Sequence, residues 1–510
     1  MADDSDLTSH SAVALRSMIE RRVISPVELM DACIARIEAI NPAINAITQT
    51  DFDRARAAAR AAEAAVMHGD ALGPLHGLPL GVKDLQDTAG LRTTSGNIGR
   101  RNHIPTKDIV LVARLRAAGA IVTAKTNVPD MGAGANTRNP VWGATGNPFN
   151  PALNAGGSSG GSAAALAVDM LPLATGSDTG GSLRIPAALC GVVGLRPSPG
   201  VVVNSARPLG WSVISVLGPM GRDVADTGLM LRASAGFDPR DPLSCEMPSL
   251  ALPTAAVELS RLRIGFTEDF GVCAVDRSIR RSFQQRVKAL QGLVARCEPL
   301  SLDMADSDRV FDILRAESFY AGYADTLAKA PETLAPHVRA NIEMAASMTL
   351  ADRAWAHLAQ TRIAQRFAKT FDDFDLIITP TSPVTPFPWT TLYAQEIDGQ
   401  AMRNYYHWLA LTYIPTLATN PALALPCGLD EAGMPFGLQL IAPLRGDARL
   451  LAMAAALEQA FAADPVLRRP RPDLRTLHTA RPELRSIVTH PPEAGATGSD
   501  ASSGATVTAV

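Results

Sequence analysis

An excess of positive charge is lacking in this chain of 510 residues: 47 Lys and Arg stand against 50 Asp and Glu, and the formal net charge is -3. Nucleic acids and anionic lipid surfaces attract proteins mainly through basic patches. This balance excludes a chain-wide basic surface. We therefore expect no direct nucleic-acid partner and no membrane partner.

Cysteine is sparse, and its six positions lie far apart: Cys33, Cys190, Cys245, Cys273, Cys297 and Cys427. No C-x-x-C pair occurs, which excludes the usual redox motif and the zinc knuckle. We interpret these residues as buried free thiols, the commoner state for scattered cysteines.

The features of a secretory leader are also few, and we expect none. The first residues, Met1 to Asp6, are acidic where the start of a signal peptide would be basic, and no apolar run follows them. This predicts a cytoplasmic protein.

Apolar residues, in contrast, are plentiful enough for a large core, at 47% of the chain. Ser25-Pro26-Val27-Glu28 is typical of a capped helix start. Helical spacing at 109–118 is followed by an apolar strand pattern at 120–124, and this alternation predicts the α/β class. A further strand at 261–266 is predicted, then helices through about Lys369 and three more strands of the same sheet, at 376–383, 422–426 and 437–441.

Three regions are predicted: an N-terminal segment at 1–11, a main folded domain at 12–484, which the motifs below predict to be catalytic, and a tail at 485–510. The tail is rich in Pro, Gly, Ser and Ala, and such a composition cannot bury enough apolar surface to order itself. We predict that it is disordered.

A glycine-serine loop runs from Gly156 to Ser162, just before a helix of small residues. A phosphate-binding loop would end in Gly-Lys-Ser or Gly-Lys-Thr, which is absent. The Gly-x-Ser-x-Gly pattern around Ser158 also fits the nucleophile elbow of α/β-hydrolases, which requires a later histidine such as His337, His357 or His407. A tight loop that packs a helix on a sheet is the third alternative.

A second loop of the same kind, Thr175 to Ser182, also places a serine at the start of a helix. Backbone N–H groups that converge beside a serine after Thr179-Gly180-Gly181 are what a tetrahedral oxyanion requires. This makes Ser182 the better nucleophile candidate. Asp178 and Arg184 flank it, and we interpret them as a buried ion pair of the scaffold.

A serine hydroxyl needs a base to accept its proton. Lys83 ends the apolar segment Leu80-Gly81-Val82, and burial there would favour its neutral form. The alternative is that Lys83 pairs with Asp84. A Ser-x-x-Lys arrangement is absent, because none of the six lysines has a serine three positions before it.

Together these motifs resemble the amidase signature family. The resemblance extends over roughly 12–462 and includes Lys83 and the loops 156–162 and 176–186, together with 125–130, 147–151, 191–198, 218–220 and 380–383.

The resemblance implies a single compact domain with a mixed, twisted central sheet flanked by helices, and neither metal nor organic cofactor. It also assigns roles. Ser182 corresponds to the acylated nucleophile, Ser158 to a bridging serine held through a cis peptide bond, and Lys83 to the base. The oxyanion hole would be formed by the N–H groups of Thr179, Gly180 and Gly181.

The implied activity is hydrolysis of a small aliphatic or aryl-substituted carboxamide through a seryl acyl-enzyme, which releases a carboxylate and ammonia or an amine. The glutaminase subunit of a tRNA-dependent amidotransferase is the alternative, and a non-catalytic scaffold is the third. A homodimer remains open. Six aromatic residues fit either an acyl pocket or the core, namely Trp142, Phe319, Tyr320, Tyr405, Tyr406 and Trp408.

Overall fold

A computed structural model describes residues 6–247 and 257–488. Its α-helices are α1 Ala12–Glu20, α2 Pro26–Ile44, α3 Phe52–His68, α4 Val110–Ala117, α5 Gly160–Ala167, α6 Arg184–Cys190, α7 Val224–Ser234, α8 Arg277–Gln291, α9 Ser307–Lys329, α10 Pro336–Ala346, α11 Leu350–Thr370, α12 Ala410–Leu417 and α13 Asp447–Ala462.

The strands are β1 Ile47–Thr50, β2 Pro79–Lys83, β3 Ile121–Thr126, β4 Arg138–Asn139, β5 Gly143–Ala144, β6 Gly146–Asn147, β7 Asn150–Asn154, β8 Leu173–Asp178, β9 Val193–Arg196, β10 Val216–Gly221, β11 Arg263–Phe266, β12 Arg296–Pro299, β13 Leu376–Pro380, β14 Glu396–Ile397, β15 Gln400–Ala401, β16 Ala422–Leu429 and β17 Pro435–Ile441. The α/β class is confirmed.

Eleven strands form one central sheet in the order β1-β3-β2-β8-β10-β9-β16-β17-β13-β11-β12. β2 runs parallel to both β3 and β8. From β8 to β13, each strand pairs antiparallel with its next neighbour in the sheet, in the order β8-β10-β9-β16-β17-β13. The sheet is therefore mixed, as the family resemblance implied, and helices flank it.

Local sequence signals set several of these boundaries. The Ser25 side chain accepts a hydrogen bond from the Glu28 N–H, and the Glu28 carboxylate accepts one from the Ser25 N–H, so the predicted capping box is formed at the start of α2. The strands predicted near the end of the chain appear as β13, β16 and β17, all in the central sheet.

Two expectations need correction. The region between β11 and Lys369 is not entirely helical, because β12 pairs parallel with β11 and forms the edge of the sheet. Its sequence, Arg296 to Pro299, has only one buried residue, Cys297, so it lacks the apolar run that marked the other strands. Among the cysteines, Cys245 is partly exposed, while the other five are buried free thiols as predicted.

No helix in the described ranges is both long and apolar enough to cross a membrane. The predicted tail lies outside the described residues from position 489 onward. The cytoplasmic location and the boundaries of the three regions stay predictions.

Candidate active site

Lys83 is the last residue of β2 and is completely buried. β2 and β8 are adjacent and parallel, with Leu80 opposite Leu173 and Gly81 opposite Ala174. Because parallel strands end at the same edge of a sheet, Lys83 arrives beside the end of β8, where the second glycine-serine loop begins.

Three serine hydroxyls surround the side-chain nitrogen of Lys83. Its Nζ lies 2.7 Å from Ser158 Oγ, 2.8 Å from Ser159 Oγ and 2.9 Å from Ser177 Oγ. The Ser177 carbonyl oxygen lies at 3.4 Å. The structure therefore brings Lys83 into direct contact with the predicted relay serine.

No carboxylate neutralises Lys83 at contact distance among the described residues. Asp84 is buried and accepts hydrogen bonds from the Thr94 N–H at 3.0 Å and from Trp142 Nε1 at 3.2 Å. The alternative pairing of Lys83 with Asp84 is therefore absent. Burial lowers the pKa of Lys83 well below its ordinary value, and the negative charge of Asp178 opposes this shift only in part.

Ser158 lies in the loop between β7 and α5 and is almost fully buried. The peptide bond between Gly157 and Ser158 is cis, as the resemblance implied. The next residue links the two loops, because the Ser159 N–H donates to the Ser182 carbonyl oxygen at 3.2 Å. The two glycine-serine loops are thus joined by their backbones.

A close approach of backbone explains one glycine of the first loop. A Cβ at Gly161 would stand 2.2 Å from the Asn127 nitrogen. The Gly161 N–H also donates to the Asn127 carbonyl oxygen at 3.2 Å. Because any side chain would push the start of α5 away from β3, this position accepts glycine alone.

Ser182 lies one residue before the N-cap of α6 and is partly exposed, unlike the buried Lys83 and Ser158. A partly exposed serine can be reached by a substrate, while a buried lysine is shielded from water, and a nucleophile and its base require this arrangement. No hydrogen bond joins the Ser158 and Ser182 hydroxyls within the described ranges, so the second half of the predicted relay stays a prediction.

The loop before Ser182 presents backbone N–H groups in two ways. The Gly181 N–H donates to Asp178 Oδ1 at 2.9 Å. The N–H groups of Thr179 and Gly180 donate to no acceptor among the described residues, and the oxyanion hole expected there stays a prediction. Gly181 has a φ of +123°, which places it in backbone space that favours glycine.

Asp178 and Arg184 form the predicted buried ion pair behind this loop. Arg184 Nη2 lies 2.8 Å from Asp178 Oδ1, and Nε lies 3.0 Å from Oδ2. Arg196 Nη1 donates to the Asp178 carbonyl oxygen at 2.7 Å. Burial by itself would raise the pKa of Asp178, but the positive charges of Arg184 and Arg196 hold it below its ordinary range.

Sequence reasoning missed several residues of this region. Ser159 and Ser177 had no assigned role, although both contact Lys83 Nζ. Thr412, which is more than 200 positions away, donates from Oγ1 to the Gly180 carbonyl oxygen at 2.6 Å. No local pattern marks Thr412, because only the tertiary fold brings α12 to the loop.

Lys125 is a second buried lysine, and the sequence predicted no role for its side chain. Its Nζ donates to the Thr88 hydroxyl at 2.9 Å and to the Gln86 carbonyl oxygen at 2.5 Å. Burial lowers the pKa of Lys125 to about 8, and the Asp84 charge opposes the shift. It supports the segment after β2 and does not contact the serines.

The histidines that a nucleophile elbow would require lie elsewhere. His337 Nε2 is 3.1 Å from the Ala133 carbonyl oxygen, and His407 Nε2 is 3.1 Å from Asp312 Oδ1. His357 is exposed on α11. Neither Ser158 nor Ser182 has a histidine partner in the described part of the chain. Within residues 6–247 and 257–488, no group of three or more His, Cys, Asp or Glu side chains is placed to hold a metal ion.

The family model described as Amidase matches residues 28–451. The chain belongs to the amidase signature family. This membership supports amidohydrolase activity, and the matched range contains the lysine and both serine loops.

Relatives within the amidase signature family include two kinds of protein. A glutamyl-tRNA(Gln) amidotransferase subunit of Acidothermus cellulolyticus is 35% identical over 488 residues, a match that covers 90% of this chain and 95% of the relative. An acylamidase of Rhodococcus erythropolis is 34% identical over 458 residues and is covered over 94% of its length, against 88% of this chain.

Solved structures agree on the fold. A bacterial aryl acylamidase of the amidase signature enzymes superposes with a TM-score of 0.83 at 27% identity, over 88% of this chain and 96% of that one. The central sheet and its helices are therefore those of the family.

Proposed function

We propose that this protein hydrolyses the C–N bond of small carboxamides, with Ser182 as nucleophile, Ser158 as proton relay and Lys83 as base. One observation carries the proposal above the others: Lys83 Nζ lies 2.7 Å from Ser158 Oγ in a buried position, with no carboxylate of residues 6–247 or 257–488 in contact. A lysine in such surroundings favours the neutral amine, which is the form that accepts a proton.

The reaction begins with two proton transfers. Neutral Lys83 takes the Ser158 proton, Ser158 takes the Ser182 proton, and the Ser182 oxygen forms a bond to the amide carbon. The carbonyl oxygen becomes an oxyanion, which the N–H groups of Thr179 and Gly180 stabilise. The sequence also predicted the Gly181 N–H as an oxyanion donor, but this group donates to Asp178 Oδ1, so we assign Gly181 the role of fixing the position of the loop.

Collapse of this intermediate breaks the C–N bond. The proton held by Lys83 returns through Ser158 to the leaving nitrogen, which departs as ammonia or an amine. The acyl group stays on Ser182 until water attacks, with the relay now removing the proton of the water. The products are a carboxylate and the regenerated Ser182 hydroxyl.

The matched amidotransferase subunits support a second candidate, the glutaminase subunit of a tRNA-dependent amidotransferase. Such a protein would pass ammonia from glutamine to a partner. Glutamine hydrolysis that appears only with a partner protein, together with failure of all other amides, would select this role over the free-standing amidase.

The experiment that tests the proposal is ammonia release from benzamide, phenylacetamide, propionamide and glutamine, and amine release from an anilide. Wild type, Ser182→Ala and Lys83→Ala are compared, with Ser347→Ala and Lys329→Ala as controls from the exposed helical surface. We expect turnover to vanish in the first two variants and to persist in the controls. Wild-type rates in Lys83→Ala would overturn the assignment of the base.

A trapping experiment tests the acyl-enzyme separately. A serine-directed phosphonate should add its mass to the peptide that contains Ser182 in wild type and not in Ser182→Ala. Complete lack of reaction would instead support a scaffold that keeps the fold without the chemistry.

A further inference from the structure

Arg315 is a buried cation that is surrounded by aromatic rings. It lies on α9 and is 7% exposed. Its guanidinium carbon is 4.5 Å from the centroid of the Phe319 ring, 5.0 Å from that of Tyr406 and 5.4 Å from that of Tyr405. Ring faces attract a cation, but they accept no conventional hydrogen bond.

The guanidinium is poorly supplied with acceptors. A guanidinium has five N–H donors, and the only hydrogen bond that Arg315 makes to a described residue runs from Nη2 to the Tyr405 hydroxyl at 2.6 Å. Its Nε is buried without a partner. No Asp or Glu oxygen in the described ranges lies within 4.0 Å of it, the limit for an ion pair.

The acidic residue one turn earlier on the same helix is already engaged. Asp312 Oδ1 accepts the Tyr406 hydroxyl proton at 2.6 Å, and it lies 3.1 Å from His407 Nε2. Its other oxygen lies 3.7 Å from Arg403 Nη2. Asp312 therefore does not serve as the counter-ion of Arg315.

The Tyr405 hydroxyl adds a donor beside Arg315. It accepts from Arg315 and also from Asn341 Nδ2, the latter at 2.9 Å. A phenol that accepts two hydrogen bonds still has its own O–H to donate. No acceptor for this proton is present among the described residues, so one site combines the guanidinium donors with a phenol donor.

This group borders the nucleophile loop on one side. Phe311 precedes Arg315 by one turn of α9, and its Cζ would stand 2.9 Å from a Cβ built on Gly180. Gly180 is two residues before Ser182 and is a predicted oxyanion donor. The helix that presents Arg315 is thus packed directly against the loop that carries the nucleophile.

Arg315 and Tyr405 are also connected by packing contacts to the loop that carries the predicted relay serine, Ser158. Tyr405 Cδ2 lies 3.8 Å from the position of a Cβ on Gly134. The next residue, Ala135, lies 3.0 Å from the position of a Cβ on Gly157, which immediately precedes Ser158. Packing contacts therefore connect Arg315 and its phenol partner to both loops of the candidate active site, through Phe311 on one side and through Gly134 and Ala135 on the other.

We propose that Arg315, with the Tyr405 hydroxyl, receives a carboxylate at the far end of the substrate's acyl group. This rests on the proposed amidase function and names its substrate class: amides of dicarboxylic acids in which one carboxyl is free. A carboxylate takes two parallel N–H donors of an arginine and brings the charge that the buried guanidinium lacks. Arg315 is only 7% exposed, and the low dielectric of such a buried position strengthens that interaction.

The experiment compares two matched pairs of substrates, glutaramate with pentanamide and 4-carbamoylbenzoate with 4-methylbenzamide. In each pair a carboxylate replaces a methyl group. We measure the ratio of kcat/KM for the anionic member to that for the neutral member. Any loss of packing from a mutation acts on both members and cancels in this ratio.

We expect wild type to favour the anionic member of at least one pair. In Arg315→Met the ratio for that pair should fall about 10- to 100-fold, the usual worth of hydrogen bonds to a charged group. Arg315→Lys should recover part of it. Arg309→Met is the matched control, because Arg309 lies on the same helix over the Trp355 ring and pairs with Asp352 at the surface. Its ratio should equal that of wild type.

Calorimetric binding separates this proposal from the proposed function. The Ser182→Ala variant should bind glutaramate more tightly than it binds pentanamide. This preference should disappear in the double variant that also carries Arg315→Met. Binding preference without turnover of any amide by wild type would overturn the hydrolase and keep the anion site. Two outcomes would overturn the anion site alone. One is turnover of neutral amides with no preference for the anionic member in rate or in binding. The other is a kcat/KM ratio in Arg315→Met that equals that of wild type.

Discussion

Arg184 and Asp178 form a bidentate ion pair behind the nucleophile loop, with Nη2 2.8 Å from Oδ1 and Nε 3.0 Å from Oδ2. The same carboxylate accepts from the N–H groups of Gly181 and Leu183, which lie on either side of Ser182. One buried side chain therefore fixes the backbone on both sides of the proposed nucleophile.

Asp178→Asn should destabilise the protein strongly. It removes the charge that balances Arg184 and Arg196, both completely buried, and breaking one partner of a buried pair costs about 3–5 kcal/mol. Urea denaturation measures this as a lower free energy of unfolding. The control is Asp473→Asn, because its pair with Arg475 is mainly exposed, and such pairs contribute about 0–1 kcal/mol. Equal effects of the two substitutions would contradict this account.

The activity should be lost as the pH falls through the lowered pKa of Lys83, since a protonated amine cannot accept the Ser158 proton. Burial causes the shift, so the midpoint of the acidic limb of kcat/KM should lie well below the ordinary lysine value of about 10.4. Lys83→Arg keeps its proton throughout and should lower kcat about 10²- to 10⁴-fold. An acidic limb that survives unchanged in this variant would assign it to another group.

Ser177→Ala and Ser159→Ala should each lower kcat about fivefold and move the acidic limb of the pH profile. Each removes one hydroxyl within 2.9 Å of Lys83 Nζ, and a hydrogen bond contributes about 1 kcal/mol. A pH profile of kcat/KM measures the shift. Ser162→Ala is the control, because Ser162 Oγ donates to the Thr175 carbonyl oxygen and does not contact Lys83. If all three profiles coincide, the hydroxyls do not tune the base.

Gly181→Ala should abolish activity and lower stability. A Cβ there would stand 2.3 Å from Thr412 Oγ1, which holds the Gly180 carbonyl, and the φ of +123° disfavours a side chain as well. Gly433→Ala separates crowding from backbone strain, since Gly433 also has a positive φ but nothing within 4 Å of its Cβ position. We expect Gly433→Ala to cost only about 1 kcal/mol in urea denaturation. Normal turnover in Gly181→Ala would show that the loop tolerates displacement.

Local motifs, together with the family resemblance that they carry, were enough to predict the residues of the candidate site. Lys83 at the end of an apolar strand and two serines at helix starts were recognisable from their immediate neighbours, and the structure places Lys83 and Ser158 in contact. The capped start at Ser25 and the strands near the end of the chain were also readable. β12 escaped prediction because a short edge strand with one buried residue carries no periodic apolar signal.

Partners that are distant along the chain were beyond sequence reasoning. Thr412 reaches Gly180 across 232 positions, and Arg315 reaches Tyr405 across 90. Neither residue belongs to a motif, because a hydrogen bond between distant elements leaves no spacing to recognise. Ser159 and Ser177 lie in the two glycine-serine loops that the sequence revealed. Their contact with Lys83, however, depends on how β2 and β8 end side by side.

The sequence by itself determined the class of fold, the family and the residues that carry the candidate chemistry, since glycine-serine loops, capped helices and a lysine after an apolar strand are local properties. Only the tertiary structure decided that Lys83 contacts three serines and not Asp84, that Asp178 anchors both sides of Ser182, and that Arg315 is buried with no carboxylate of the described residues at ion-pair distance. The physical reason is that burial and charge pairing depend on which elements meet in space, and a chain segment does not contain that information.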